Sequence, residues 1–168
     1  MSFPHLDAAG RAHMVDVTAK QPTVRTATAR GFVRCSVDVV AALRDGTVPK
    51  GDVLAVARIA GIQAAKSTPA LLPLAHVIGV HRASVDLELV DEGVHIEATV
   101  GTADRTGVEM EALTAVSVTA LAIVDMIKGV DRAVVIEDVR IVAKSGGRTG
   151  DWVRPGETIP AVESGDAR

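Results

Sequence analysis

Two ionisable side chains follow a long uncharged stretch of the chain, and their spacing allows them to form a pair. Residues 112–124 carry no charge, whereas Asp125 and Lys128 come directly after them. Residues three apart meet on one face of a helix, where an ordinary ion pair adds little to stability. However, an aspartate near a helix C-terminus opposes the helix dipole, and clustered charges at such places often mark functional sites. Asp125 and Lys128 are therefore candidate catalytic residues, with a plain intrahelical ion pair as the alternative.

Basic residues elsewhere suit the binding of an anion. Lys50 lies in "VPKGDV", just ahead of a predicted helix N-terminus, where free backbone N–H groups favour negative charge. Lys144 opens "KSGGRTG", in which glycines let a ligand approach the backbone and Arg148 adds a second cation. The segment is not a P-loop, because that motif places its lysine after the glycines and leads into a helix. A solvated surface loop is the alternative for this segment.

Two carboxylates and a histidine complete the set of polar candidates. Glu109 and Glu111 stand immediately before the uncharged stretch. His76, in "LLPLAHV", has no second histidine at a metal-binding spacing, because His81 is five residues further along. A structural or catalytic zinc ion needs three or four protein ligands, so we predict no metal site.

Composition narrows the class of protein. The chain has 168 residues, of which 48% are hydrophobic and 23% charged, values typical of one globular domain. A net charge of −3 and an aromatic content of 2% argue against nucleic-acid binding. The single cysteine, Cys35, excludes an internal disulfide and favours a reducing compartment. No apolar signal segment opens the chain and no apolar run reaches the roughly 20 residues of a membrane span, so we expect a soluble, cytoplasmic protein.

Hydrophobic periodicity predicts the elements that must position these residues. The second predicted helix is capped by Asp52 and should end before Pro69. Its many small residues allow another backbone to approach closely. The predicted elements are a strand at 24–37, helices at 37–46 and 51–67, a hairpin of 83–90 with 94–100, a long helix at 107–130 and a strand at 133–144.

This order of elements predicts an α+β fold, with helices packed on one face of a mainly antiparallel sheet. We divide the chain into an N-terminal arm (1–22), a single domain (23–151) and a polar tail (152–168) that we expect to be disordered. The long helix is apolar on every side. Since one sheet covers only one side of it, we predict that a second subunit covers the other.

Several long segments, in the same order, resemble the molybdenum cofactor biosynthesis protein C family, the cyclic pyranopterin monophosphate synthases. The resemblance spans roughly residues 5–151. The segments that carry it are "AHMVDVTAK", "KGDVLAVARIAGIQAAK", "GVEMEALTAVSVTAL", "DMIKGVDR" and "KSGGRTG".

The resemblance implies a ferredoxin-like domain and a homo-oligomer, a hexamer arranged as a trimer of dimers with active sites at subunit interfaces. The implied substrate is a small-molecule triphosphate, 3′,8-cyclo-7,8-dihydroguanosine 5′-triphosphate, which a radical-SAM partner enzyme makes from GTP. The implied reaction rearranges it to cyclic pyranopterin monophosphate and releases pyrophosphate, with no cofactor. Transient contact with the radical-SAM partner is a further expectation.

The resemblance also implies roles for single residues. Asp125, Lys128 and Lys50 match catalytic positions, and we expect neighbouring cations to tune the two lysines for proton transfer. Lys144, Arg148 and the backbone N–H groups of their loop should bind the triphosphate, while the two glutamates accept hydrogen bonds from the guanine-derived ring. The residues assigned to substrate binding are Leu74, Ala75, His76, Glu109, Met110, Glu111, Lys144 and Arg148.

The distance along the long helix limits how these residues can combine. Fourteen residues separate Glu111 from Asp125, which is ~21 Å if the segment is helical throughout. One small substrate cannot easily contact both. Either the two ends belong to sites shared between subunits, or Glu109 and Glu111 bend back on a loop ahead of the helix.

The chain departs from the family pattern at two places. It has "PLAHV" where the family usually has "PLCHP", and "VDMIKGV" where the family usually has "YDMCKAV". The first change places Ala75 and Val77 beside His76, and a following proline would have restricted that histidine's backbone. The alternative function is a catalytically silent, oligomeric nucleotide- or pterin-binding regulator, which these changes alone favour.

Overall fold

A computed structural model describes residues 9–148 and 150–158 and confirms the predicted α+β fold and the predicted order of elements. Each predicted strand and helix is present, with bounds that shift by a few residues. The elements are β1 (Thr23–Arg34), α1 (Val37–Asp45), α2 (Val53–Leu71), β2 (Arg82–Val90), β3 (Gly93–Asp104), α3 (Glu109–Ile127), β4 (Val135–Ser145) and β5 (Trp152–Val153).

The five strands form one sheet in the order β2-β3-β1-β4-β5, and every neighbouring pair is antiparallel. Without β5, this is the strand order of a ferredoxin-like β-α-β-β-α-β unit. Alternation along β1 separates the two faces of the sheet, because successive side chains point to opposite sides. Ala27, Ala29 and Val33 are buried in the core beneath the helices, whereas Arg30 and Arg34 lie on the opposite, open face.

The second side of α3 is covered by α2 of the same chain, so the sequence-based reason for a second subunit was incomplete. Gly61 of α2 faces α3 at a point where an added Cβ would overlap the hydroxyl of Thr119 and lie 3.0 Å from the carbonyl oxygen of Ala115. This confirms the close approach that the small residues of α2 predicted. A smaller apolar surface stays uncovered, including Leu121 of α3 at 57% exposure and Ile59 of α2 at 68%.

By length and composition, α3 would also be long and apolar enough to cross a membrane. It is the helix against which both the sheet and α2 pack, and core helices of soluble proteins pass the same test. Its apolar character is therefore weak evidence for a membrane span.

Pro69 lies inside α2, and the prediction that this helix ends before it was wrong. Proline in a helix leaves the carbonyl four residues earlier without its backbone donor. Here that carbonyl belongs to Ala65, and the hydroxyl of Thr68 donates a hydrogen bond to it at 3.1 Å. Only two further residues of the helix follow the proline, so little helix is disrupted. The predicted cap is confirmed, because the Asp52 side chain accepts a hydrogen bond from the backbone of Ala55.

The first part of the predicted disordered tail is ordered. Trp152 and Val153 pair with β4 as strand β5, and the Glu157 carboxylate accepts hydrogen bonds from Arg30 at 2.7 Å and from Arg140 at 2.8 Å on the open face of the sheet. The tail is ordered here because two arginines on neighbouring strands bind the same acidic residue. The rest of the tail, residues 159–168, and the first eight residues of the arm lie outside the described part of the chain.

Candidate active site

The predicted catalytic residues come together at the C-terminal end of α3. Asp125 lies in its last turn and Lys128 is its C-cap residue. The Lys128 ammonium donates to Asp125 Oδ1 at 2.6 Å. Lys50, which precedes the N-cap of α2, donates to the carbonyl oxygen of Asp125 at 2.7 Å and to its Oδ2 at 3.3 Å. One aspartate therefore holds two lysines that lie far apart in the sequence, and we call these three residues the Asp125 cluster.

The electrostatics of the Asp125 cluster follow from these contacts. The hydrogen bond from Lys128, followed by that from Lys50, lowers the pKa of the Asp125 carboxyl below its ordinary value of 3.8. About half of each side chain is exposed to solvent, so the ion pairs add little to stability. The ion pairs instead position the two lysines, because the ionised carboxylate holds both ammonium groups at an accessible surface.

The predicted substrate-binding residues surround a cleft of about 530 Å³ at the opposite end of α3. Lys144 lies at its edge, with its ammonium 3.9 Å from Glu109 Oε1. Seven of the eight predicted residues line the cleft itself: Leu74, Ala75, His76, Glu109, Met110, Glu111 and Arg148.

Glu111 and His76 form the inner part of this cleft. Glu111 is only 3% exposed, and burial raises the pKa of its carboxyl above the ordinary value, an effect to which the nearby charge of Glu109 adds. His76 Nε2 lies 2.7 Å from the carbonyl oxygen of Val15 in the N-terminal arm. The arm therefore orients His76, which is followed by Val77 and not by the proline that is usual in the family. A carboxylate accepts hydrogen bonds from a ligand, and the protonated carboxyl can also donate one.

The N-terminal arm and the loop before α3 also contribute to the cleft, although neither was predicted to do so. Val15, Val17 and Lys20 line the cleft, as do Thr106 and Gly107. Lys20 is held in place by Arg105, whose Nε donates to its carbonyl oxygen at 2.9 Å. A signal was present in the sequence, because the three arm residues all lie in the segment "AHMVDVTAK" that supports the family resemblance.

The glycine-rich loop between β4 and β5 offers fewer free backbone donors than predicted. The Gly146 N–H donates to the Asp151 side chain at 3.0 Å, and the Gly150 N–H donates to the carbonyl oxygen of Gly147 at 3.3 Å. These two donors are used within the loop. Arg148 and Lys144 add two side-chain cations to the donors that remain.

Within one chain the Asp125 cluster and the cleft are two separate places. Glu109 and Glu111 lie in the first turn of α3, so the alternative that they bend back on a loop ahead of the helix was wrong. The helix continues without a break to Asp125, which keeps the two ends ~21 Å apart.

A larger groove, of about 770 Å³, lies on the open face of the sheet and contains none of the predicted residues. Three of its arginines are paired with carboxylates, namely Arg30 with Glu97, Arg34 with Glu137 and Arg140 with Glu157, and Arg58 donates to the carbonyl oxygen of Val85. The smaller cleft is therefore the candidate ligand-binding site. Over residues 9–148 and 150–158, no three histidine, cysteine or acidic side chains are grouped in a way that would hold a metal ion.

Comparisons with known proteins identify the family of the chain. The model of the MoaC family matches residues 14–147. A protein of Nocardioides sp. named cyclic pyranopterin monophosphate synthase is 58% identical over 154 residues, 90% of this chain and 94% of its own length. Proteins of the same name from Streptomyces coelicolor (58% over 150 residues, 89% of this chain and 88% of that protein) and Chloroflexus aurantiacus (54% over 153 residues, 90% and 94%) are also similar. The family resemblance seen in the sequence is confirmed: the chain belongs to the MoaC family.

Proposed function

We propose that the protein is a cyclic pyranopterin monophosphate synthase of molybdenum cofactor biosynthesis, working in the cytoplasm. Its substrate would be 3′,8-cyclo-7,8-dihydroguanosine 5′-triphosphate, and its products cyclic pyranopterin monophosphate and pyrophosphate. The observation that carries the proposal is the Asp125 cluster, in which one ionised carboxylate holds the ammonium groups of Lys50 and Lys128 at an exposed surface. The names of the similar proteins support the same activity.

The cleft has the size and chemistry that such a substrate requires. A volume of about 530 Å³ lies in the usual range of small-molecule sites. Arg148 and Lys144 would bind the triphosphate by charge-assisted hydrogen bonds. Glu109 and Glu111 provide acceptors for the N–H groups of the guanine-derived ring, and Met110 provides an apolar surface for its face.

We further propose that each active site combines the cleft of one subunit with the Asp125 cluster of another. If two copies pack with their α3 helices antiparallel, the N-terminal end of each helix lies beside the C-terminal end of the other. The outward side of α3 provides an apolar surface for this contact, with Met110 at 42% exposure and Leu121 at 57%. A two-fold interface of this kind creates two equivalent sites per dimer. Three such dimers would form the expected hexamer, and transient contact with the radical-SAM partner remains part of the proposal.

In such a shared site, the Asp125 cluster would transfer protons to and from the substrate. The rearrangement opens and closes rings, so protons must move at ring nitrogens and ribose oxygens without any net oxidation. Lys50 and Lys128 would exchange these protons, while Asp125 orients both amines and accepts a hydrogen bond from a hydroxyl group. As pyrophosphate leaves, Lys144 and Arg148 would stabilise the negative charge on it.

Turnover by the purified protein tests the proposal. The cyclic substrate would be generated anaerobically from GTP in a coupled reaction, with pyrophosphate release and the oxidised fluorescent pterin measured together. We expect both signals, and we expect Lys128→Ala to abolish both. Lys66→Ala, at an exposed lysine of α2 outside the cluster and the cleft, is the matched control and should retain activity. Binding of the cyclic nucleotide without either signal would instead support the silent regulator.

A further inference from the structure

The loop that carries Arg148 is closed by a residue with no assigned role. Gly146 to Asp151 connect β4 to β5, and the strands on either side pair Lys144 with Trp152. The carboxylate of Asp151 accepts a hydrogen bond from the Gly146 N–H at 3.0 Å, which joins the last residue of the loop to the first. Lys144, at the base of the loop, and Arg148, within it, are thus held on one short, closed segment.

The loop also lies close against the start of β1. Gly146 has a left-handed backbone, with φ 78°, and an added Cβ would overlap the carbonyl oxygen of Val24. Gly147 is left-handed as well, and an added Cβ there would overlap the guanidinium of Arg25. Such a conformation, with no room for a side chain at either position, suits glycine, and glycine loses much conformational freedom when it is ordered. The loop therefore needs a specific contact that favours this one conformation.

Asp151 lies outside the cleft. Its side chain is exposed and is not among the residues that line the cleft, whereas Arg148 is. We propose that Asp151 is a positioning residue, which fixes the glycine-rich loop so that Arg148 and Lys144 face the triphosphate together. The identity of the anion as the substrate's triphosphate rests on the proposed function.

The charge of Asp151 allows a positioning role to be distinguished from a purely electrostatic effect on the anion. A carboxylate near a polyphosphate repels it, so an aspartate that acted only through charge would weaken binding. An aspartate that orders the loop strengthens binding instead. Substitution by alanine removes both effects, whereas substitution by asparagine removes the charge and keeps a side-chain oxygen that can accept the Gly146 N–H.

Binding of inorganic tripolyphosphate to the full-length protein measures this directly. Trp152 is the only tryptophan of the chain and adjoins Asp151, so its fluorescence reports on the loop, with calorimetry as the second readout. We expect Asp151→Ala to raise the dissociation constant about tenfold, because the loop loses the hydrogen bond that holds Arg148 and Lys144 together. Asp151→Asn should stay within about threefold of the wild type at the same ionic strength. Asp86→Ala, on the opposite edge strand, removes the same charge and should change nothing.

Two results would overturn the proposal: tripolyphosphate binding by Asp151→Ala that is as tight as or tighter than wild type, or binding by Asp151→Asn as weak as that of Asp151→Ala. Turnover gives an independent readout, in which Asp151→Ala should lower kcat/KM about tenfold and Asp151→Asn should stay within about threefold of the wild type. If the wild type binds tripolyphosphate with this pattern but forms no pterin product, the proposed function is wrong while the role of Asp151 stands.

Discussion

Substitution of Gly61 by alanine should destabilise the protein, although the same change inside most helices stabilises it. Replacing a helical glycine by alanine usually gains about 1 kcal/mol. Here the new Cβ would overlap the hydroxyl of Thr119 and lie 3.0 Å from the carbonyl oxygen of Ala115 and 3.2 Å from a methyl group of Val85. The Thr119 side chain is fully buried and donates to that same carbonyl at 2.8 Å, so it cannot easily move aside. Overpacking of a rigid interior costs about 3 kcal/mol at the upper end of its usual range.

The expected net effect is a loss of about 2 kcal/mol in the free energy of unfolding, or a fall in Tm of roughly 4–8 °C for a domain of this size. Urea denaturation at fixed protein concentration would measure it, with Gln63→Ala on the exposed side of α2 as a control that changes stability little. In a Thr119→Ala background, where the hydroxyl is absent, Gly61→Ala should cost less by about 1 kcal/mol. A neutral or stabilising effect of Gly61→Ala, or an equal cost in both backgrounds, would refute the close packing of α2 on α3.

Two further predictions concern titratable groups of the site. Because burial raises the pKa of Glu111, the folded protein binds its proton more tightly than the unfolded chain does, and stability should be lost as pH rises above the ordinary value of 4.5 through the raised pKa. Glu111→Gln should remove this part of the pH dependence in urea denaturation between pH 4 and 8, and an unchanged profile would contradict the burial of the carboxyl. Because Lys128 and Lys50 lower the pKa of Asp125, loss of activity through protonation of this group should have its midpoint below pH 3.8. Asp125→Asn should therefore reduce kcat/KM about 10²- to 10⁴-fold across the neutral range, and a pH-dependent recovery of activity in that variant would count against the assignment.

The parts of the fold that depend on local sequence were predictable. Alternation of apolar and polar residues located the strands, and the cap at Asp52 located the start of α2. The end of α2 was not predictable from the proline rule, because the rule does not include a neighbouring hydroxyl. Thr68 compensates the carbonyl that Pro69 leaves without a donor, and that compensation is a matter of side-chain geometry.

The candidate site was also predictable only in part. The contact of Asp125 with Lys128 follows from helix geometry and was derived from spacing alone. Lys50 comes to the same aspartate from 75 residues away, which no local pattern indicates, and only the family resemblance suggested it. The role of the arm in orienting His76 depends on tertiary structure in the same way.

Mixing two inactive variants tests the shared active site most directly. Asp125→Ala disrupts the Asp125 cluster of its own subunit, and Lys144→Ala removes a triphosphate-binding cation from the cleft of its own subunit. Neither variant should turn over substrate alone. In an equal mixture that forms random dimers, half of the dimers contain both variants and one of their two sites has an intact cleft and an intact cluster. Differently tagged copies would be co-expressed and purified through both tags to establish that mixed oligomers form.

The account predicts recovery of roughly a quarter of the wild-type rate in an equal, unselected mixture, measured as pyrophosphate released with the pterin product. It predicts about half of the wild-type rate in oligomers selected to contain only mixed dimers. Mixed oligomers with no more activity than the separate variants would contradict it, and would show that the Asp125 cluster and the cleft do not act on the same substrate molecule.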